Sequence, residues 1–273
     1  MSKIWFITGS SRGFGRRFAE AALLRGDKVA ATARNTDSLA DLLVAHGDAI
    51  LPLSLDVTDK TAVTEAVKRA HEHFGRLDVV VNNAGYGLFG MVEELTEENV
   101  RAQFDTNVFG TLWVTQAALP YLRAQGSGHI INVSSLLGLA AFPMTGGYTA
   151  AKAAVEGLSD SLAQEVTGFG IKVTVVEPGP FGTEFGTSSA FSEPLAAYDG
   201  VREAANAGFA TMPSPDPAGV GPALLKVVDA DNPPARVFFG TLPLQVVPQV
   251  YADRLKGWQE WAELSAEAET GQG

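Results

Sequence analysis

The sequence predicts one α/β domain, a doubly wound parallel sheet of about seven strands with helices on both faces. Three features carry that expectation. Short β-branched runs alternate with amphipathic stretches along most of the chain. The first run, residues 4–8, passes straight into Thr8-Gly9-Ser10-Ser11-Arg12-Gly13-Phe14-Gly15 and then into a helical pattern. No repeat, linker or low-complexity segment divides the 273 residues, a length that suits one domain with a full core.

In the glycine-rich turn, Gly9, Gly13 and Gly15 are interleaved with Ser11, Arg12 and Phe14. A turn of this kind lets backbone N–H groups approach a pyrophosphate, with the positive end of the following helix (16–25, closed by Gly26) behind them. The spacing is G-x-x-x-G-x-G. Residues 29–33 form the second strand. An acidic residue at its end would hold the ribose 2′-hydroxyl of NAD, but this chain has Ala33 and then Arg34. Arg34 and Arg12 suit a 2′-phosphate, which two guanidiniums grip by charge-assisted hydrogen bonds, so NADP(H) is expected over NAD(H). The ordinary alternative is a pair of solvated arginines.

A helix over 36–46 and a strand over 50–55 follow. Asp56 and Val57 stand at that strand's carboxyl end, where ligands of open parallel sheets gather. Asp59 or Thr58 caps a helix over 60–74. Its His71 and His73 face different ways, so they make no metal pair. The strand 77–81 ends in Asn82-Asn83-Ala84-Gly85, small and amide residues able to line a cofactor cleft. Tyr86, Leu88, Phe89, Met91 and Val92 make an apolar loop patch, either core or substrate wall. One long helix, 97–122, carries Asn107 near its middle, where an amide needs a partner or a task.

Residues 130–133 read as a buried strand, with Ser134 and Ser135 at its end. An Ala-rich helix runs from Tyr148 to about residue 168. Tyr148 and Lys152, four apart, share a face of it, and a cation beside a phenol lowers the phenol's usual value of about 10. The same spacing is common on ordinary surface helices, so the pair gains meaning only from the rest of the chain. A strand over 171–176 is stopped by Glu177-Pro178-Gly179-Pro180. From 181 to 217 the periodicity lapses, which predicts a lid or binding loop. A helix over 218–228, a seventh strand over 236–239 and a terminal helix or helix pair over 246–269 complete the chain.

The net charge of −11 argues against a general nucleic-acid or anionic-membrane binder. With no cysteine there is no disulfide, thiol catalysis or thiolate metal site, and no metal is expected. No uncharged apolar run approaches the roughly 18 residues of a membrane span, and the N-terminus lacks a signal peptide's apolar region. The expected location is the cytoplasm.

Taken together, these residues resemble the classical short-chain dehydrogenase/reductases, a Rossmann-type family, over residues 4 to about 185. T-G-x-x-x-G-x-G is Thr8 to Gly15, the adenine-side aspartate is Asp56, and N-N-A-G is Asn82 to Gly85. P-G-x-x-x-T is Pro178 to Thr183, which brings Pro178, Gly179, Phe181 and Thr183 to the cofactor. The family's catalytic asparagine, serine, tyrosine and lysine fall on Asn107, Ser135, Tyr148 and Lys152. The tail is loosely similar to the 17β-hydroxysteroid dehydrogenase group. The resemblance implies that Tyr148 donates a proton to a carbonyl oxygen and that Ser135 hydrogen-bonds the same oxygen. It further implies that Lys152 holds the nicotinamide ribose and lowers the Tyr148 pKa, and that Asn107 positions a water joining Lys152 to solvent. Cofactor contacts are also expected at Asn83, Ala84 and Gly85, and homodimers or homotetramers through the helices carrying Asn107 and Tyr148.

The leading reading is an NADP(H)-dependent oxidoreductase of a ketone, aldehyde or secondary alcohol. An epimerase or dehydratase using the nicotinamide transiently, and a non-catalytic dinucleotide sensor, are the alternatives. Leu88, Phe89, Leu137, Phe142, Met144 and Phe181, with Phe185 and Phe191 in the lid, are the expected substrate walls, suited to an apolar carbonyl or alcohol.

Overall fold

A computed structural model describes residues 2–270. Seven strands form one parallel sheet: β1 (Ile4–Ile7), β2 (Lys28–Ala33), β3 (Ile50–Ser54), β4 (Val79–Asn82), β6 (Gly128–Val133), β7 (Ile171–Pro178) and β9 (Arg236–Phe239), in the order β3-β2-β1-β4-β6-β7-β9. The pairing aligns the strand ends. Ile7 registers with both Ala31 and Val81, and Val176 with both Val133 and Val237. Every carboxyl end therefore opens on one edge of the domain.

Alternation along the strands supplies two cores. Trp5 and Ile7 face one side with Val29, Ile131 and Val176, under α1 (Gly13–Leu24) and α8 (Val220–Asp229). Ile4 and Phe6 face the other with Val80, Ile130 and Val173. That side is covered by α3 (Lys60–Phe74), α5 (Gly110–Gln125) and α6 (Gly146–Val166). Asp59 caps α3, its carboxylate accepting from Ala62 N at 2.9 Å. The chain runs outward from β1 to β3 and then crosses to β4, so β1 and β4 flank the switch point where open sheets bind ligands.

Three features depart from the expected layout. The helix expected over 97–122 is α4 (Glu97–Phe104) and α5 joined by a π-helical turn, Asp105–Phe109, that contains Asn107. Residues 181–217 hold a twelve-residue helix, α7 (Asp199–Ala210), none of whose residues is fully buried; its half-buried stripe is only Arg202, Ala205 and Phe209, and Gly200 and Gly208 weaken its helical signal. The same segment contributes β8 (Ala190–Phe191), which pairs in parallel with β5 (Leu88–Phe89) as a second, two-stranded sheet. The tail is a helix pair, α9 (Leu242–Glu260) and α10 (Ala262–Thr270). Among the described residues no helix is long and apolar enough to cross a membrane, and no cluster of three or more metal-ligating side chains forms.

Candidate active site

The carboxyl ends of the strands floor a single cleft of about 1140 Å³. At its centre the β1–α1 turn is fastened to the loop after β4. Thr8 Oγ1 accepts from Asn83 N (2.9 Å) and Ala84 N (3.0 Å), and Asn83 Nδ2 donates to Thr8 O (3.0 Å) and Gly9 O (3.1 Å). That closeness requires glycine. Gly9 has φ +67°, and a Cβ on it would lie 2.9 Å from Ala84 Cα. A Cβ on Gly15 would lie 2.3 Å from Gly9 O. Arg12 occupies the N-cap of α1 and makes no capping bond, so the first N–H groups of that helix face the cleft without side-chain partners. An uncapped helix end behind a turn this tight fits a pyrophosphate.

At the ends of β2 and β3, Arg12, Arg34, Asp56 and Val57 line the cleft. Both guanidiniums are exposed and engage no protein acceptor among the described residues. Thr58 donates to Asp56 Oδ1 from its backbone N (2.9 Å) and its hydroxyl (2.7 Å). With help from Arg34, these bonds hold the carboxyl below its ordinary range.

Tyr148 is 5 % exposed, in the first turns of α6, with Ser135 and Lys152 beside it in the cleft wall. Ser135 Oγ accepts from Leu137 N (3.1 Å), which leaves its O–H free to donate into the cleft. Lys152 Nζ donates to Val133 O (2.8 Å) and lies 5.7 Å from the Tyr148 ring centroid. The expected lowering of the phenol by Lys152 is not found. Burial pushes Tyr148 well above its ordinary value, with Ser135 opposing, and the same burial pulls Lys152 down to about 8. Desolvation of both groups outweighs the attraction of a cation set against the ring.

Asn107 does not line the cleft. Its amide is occupied by the Tyr86 backbone, Oδ1 accepting from Tyr86 N (3.1 Å) and Nδ2 donating to Tyr86 O (2.9 Å). In this structure it braces the Asn83–Tyr86 loop, and the π turn carries it there. Lys152 and Asn107 meet across Gly85, where a Cβ would lie 3.0 Å from Asn107 Oδ1 and 3.7 Å from Lys152 Nζ.

Most of the other expected residues fall where the sequence places them. Ser11, Gly13, Phe14, Ala84, Gly85, Pro178, Gly179, Phe181 and Thr183 line the cleft as expected for cofactor contacts. Phe89, Leu137, Phe142, Met144, Phe185 and Phe191 line it as well. Gly15 sits behind the turn, and Leu88 is core: it is fully buried against Gly147 because β5 pairing turns it away from the cleft. The wall has an aromatic lining, with Phe185 5.5 Å and Phe89 6.1 Å from the Tyr148 ring and Phe191 5.6 Å from Phe89. Phe209 and Met212, from α7 and its end, also line it, and sequence reasoning missed them. Their one signal was the Phe209-x-x-Met212 spacing within a segment read as irregular.

α7 is anchored across the cleft mouth by Glu94. Its buried carboxylate accepts from Met91 N and Leu195 N, both at 2.8 Å, and pairs with Arg202, which holds it down to about 2.

Comparison with known proteins agrees with this geometry. The family profile described as short chain dehydrogenase matches residues 3–193. Oxidoreductase BOA17 of Botryotinia fuckeliana is 43% identical over 270 residues, covering 97% of this chain and 98% of its own. A 3-ketodihydrosphingosine reductase of Bacteroides thetaiotaomicron is 36% identical over 261 residues, covering 94% and 93%. The crystal structure of a short-chain dehydrogenase from Streptomyces avermitilis superposes with a TM-score of 0.90 at 39% identity, over 98% of each chain. One from Burkholderia cenocepacia in complex with NADP gives 0.76 at 27% identity, over 95% and 97%. The chain belongs to the short chain dehydrogenase family and is an oxidoreductase of that family.

Proposed function

We propose that this family member transfers a hydride between NADP(H) and a neutral, apolar ketone, aldehyde or secondary alcohol, with Tyr148 as general acid in reduction and general base in oxidation. The observation that carries the reading is the placement of buried Tyr148, with Ser135 and Lys152, in an aromatic wall opposite an open glycine turn. When bound, the nicotinamide supplies the hydride. The chain's own residues supply the rest. Raised by burial, the Tyr148 phenol keeps its proton at neutral pH and passes it to the carbonyl oxygen. Ser135 donates its O–H to the same oxygen, whose negative charge develops as the carbon is reduced. Lys152, fixed to Val133 O, holds the ribose hydroxyls.

Substrate class follows from the wall. Phe89, Leu137, Phe142, Met144 and Phe185 bring apolar surface and no charge of their own to the cleft around Tyr148, which supports an apolar carbonyl or alcohol. The Bacteroides relative, a 3-ketodihydrosphingosine reductase, supports the choice of a ketone. The segment 181–217, anchored through Glu94 and Arg202, acts as the lid. A homodimer or homotetramer through α5 and α6 is supported by the exposed side chains of Phe109, Leu158 and Phe169 on that flank.

The NADP(H) preference rests on Arg12 and Arg34, with no carboxylate at the end of β2. Each charge-assisted bond contributes roughly 1.5–3 kcal/mol, so two partly exposed ones favour NADP by about 10²-fold. The test follows NADPH oxidation against a panel of neutral ketones with wild type and Tyr148→Phe, alongside Kd for NADPH and NADH. Tyr148→Phe is expected to lose ~10²–10⁴-fold in kcat with NADPH affinity kept. The NADPH preference is expected to collapse in Ala33→Asp/Arg34→Ala. Wild-type turnover by Tyr148→Phe, or equal wild-type affinities for the two cofactors, would overturn the respective half of the reading.

A further inference from the structure

One turn beyond Lys152 on α6 stands Glu156, which is 5 % exposed and has no task in the chemistry above. Successive turns of α6 are pinned to the end of β6. Lys152 donates to Val133 O (2.8 Å) and Asn132 Nδ2 donates to Ser159 Oγ (2.8 Å); between them Glu156 Oε1 and Ser134 Oγ are buried near each other without a hydrogen bond to either atom among the described residues. Gly138 leaves room for these two atoms, since a Cβ there would lie 2.7 Å from Ser134 Oγ and 3.1 Å from Glu156 Oε1. On its other side Glu156 pairs with Arg236 of β9. The same guanidinium pairs with Glu177 of β7 (2.7 Å) and with Asp160 one turn further along α6 (2.6 Å).

Lys152 is short of counter-charge. Its buried ammonium makes one hydrogen bond to a carbonyl and no ion pair among the described residues. A buried ammonium in that position tends to lose its proton. The groups facing the Glu156/Glu177 pair are Lys152 and Asp160 from α6 and Arg236 from β9, with Tyr148 beyond Lys152 and the Ser134 hydroxyl just past the end of β6. Of these carboxylates, Glu156 alone stands one helical turn from Lys152 on the same buried face of α6 (i, i+4), so it is the one placed to act on the ammonium.

We infer that Glu156 is a positioning residue for Lys152: its carboxylate, paired with Arg236 and one helical turn away on the same face of α6, keeps the buried ammonium charged. Glu177 shares the Arg236 guanidinium. The inference rests on the reading of Lys152 as the anchor of the cofactor ribose, and its test needs neither cofactor nor turnover.

The chain has eight lysines, few enough for the apo protein to be labelled with carbon-13 at lysine Cε and titrated by NMR, Lys152 being the signal missing from Lys152→Arg. The wild-type midpoint is expected near about 8. Loss of a unit charge one turn away at an effective dielectric of ~20 lowers it by about one to two pH units in Glu156→Gln. Glu156→Leu, similar in size, must lower it likewise and serves if the Gln variant does not fold. Glu156→Asp keeps the charge and restores the midpoint. Glu177→Gln disturbs the same cluster and leaves the midpoint within a few tenths. An unchanged midpoint in a folded charge-removed variant, or an equal fall in Glu177→Gln, overturns the inference. In turnover, the alkaline limb of kcat/KM moves with the midpoint in Glu156→Gln, whereas a merely structural loss lowers the plateau and leaves the limb in place. Absence of turnover with every carbonyl would sink the proposed activity and leave this titration standing, so the two readings fail separately.

Discussion

Glu177 makes a buried carboxylate destabilising over a defined pH range, and replacing it is expected to strengthen the fold. Its side chain is 1% exposed at the end of β7, and burial, with Glu156 nearby, raises it from 4.5 to about 7 against the pull of Arg236. A raised carboxyl contributes stability that is fully present below its unfolded value of 4.5 and lost as pH rises through 7. That rise corresponds to roughly 3 kcal/mol. Gln mimics the protonated acid, so Glu177→Gln should match wild type near pH 4.5 and exceed it by about 3 kcal/mol well above pH 7. In a chain of this size that is a Tm difference of about 6–12 °C. His129, lowered to about 4 by burial, loses stability as pH falls from 6.5. It therefore bends the wild-type curve the other way, but it is common to both proteins and cancels in the difference. Urea or thermal unfolding of the pair at a series of pH values reads that difference directly. A pH-independent difference, or a Gln variant that weakens as pH rises, would refute the reasoning and make the Arg236 pair net stabilising.

Three further perturbations test other parts of the molecule. Gly15→Ala places a Cβ 2.3 Å from Gly9 O and 2.4 Å from Asn83 Nδ2, so the turn must open. NADPH affinity measured by fluorescence should fall by at least ~10-fold, and unchanged binding would mean the turn does not cradle the phosphates. Met144, a wall residue, has φ 70°, the only non-glycine positive φ among the described residues. Met144→Gly should gain about 1 kcal/mol, or ~2–4 °C in Tm, while KM for bulky ketones rises; a lower Tm would show that the conformation carries no strain. Arg202→Ala leaves the Glu94 carboxylate without its guanidinium, so hydrogen exchange should quicken in α7 first, and protection equal to wild type would show that the anchor lies elsewhere.

Much of the architecture is legible locally. The helix 60–74 and the strand 236–239 are read with the boundaries that form, because a cap at Asp59 and a β-branched, aromatic run at Arg236–Phe239 are local signals. The glycine turn, Tyr148 and Lys152 are legible for the same reason. What escapes depends on partners far along the chain. The pairing of β5 with β8 joins residues about a hundred positions apart and turns Leu88 into core. The π turn at Asn107 leaves no mark in composition, and the short, half-buried stripe of α7 is masked by Gly200 and Gly208. Glu156 and Glu177 look like ordinary solvated acids. One clue was available for Glu156, since it lies on the same arc of α6 as Lys152, Val155 and Ser159, all buried. Desolvation of Tyr148 and Lys152 likewise belongs to the assembled cleft, so adjacency on a helix predicted the wrong direction for the phenol.

The central claim is that a hydride reaches a carbonyl carbon while Tyr148 protonates the oxygen. Deuterium transfer from [4,4-²H₂]NADPH to a neutral aryl or aliphatic ketone, followed by mass spectrometry of the alcohol, tests it most directly. The account predicts one deuterium on the carbinol carbon with wild type, and a rate lower by ~10²–10⁴-fold with Tyr148→Phe at unchanged NADPH affinity. An alcohol carrying no deuterium, or one formed at the wild-type rate by Tyr148→Phe, would contradict it.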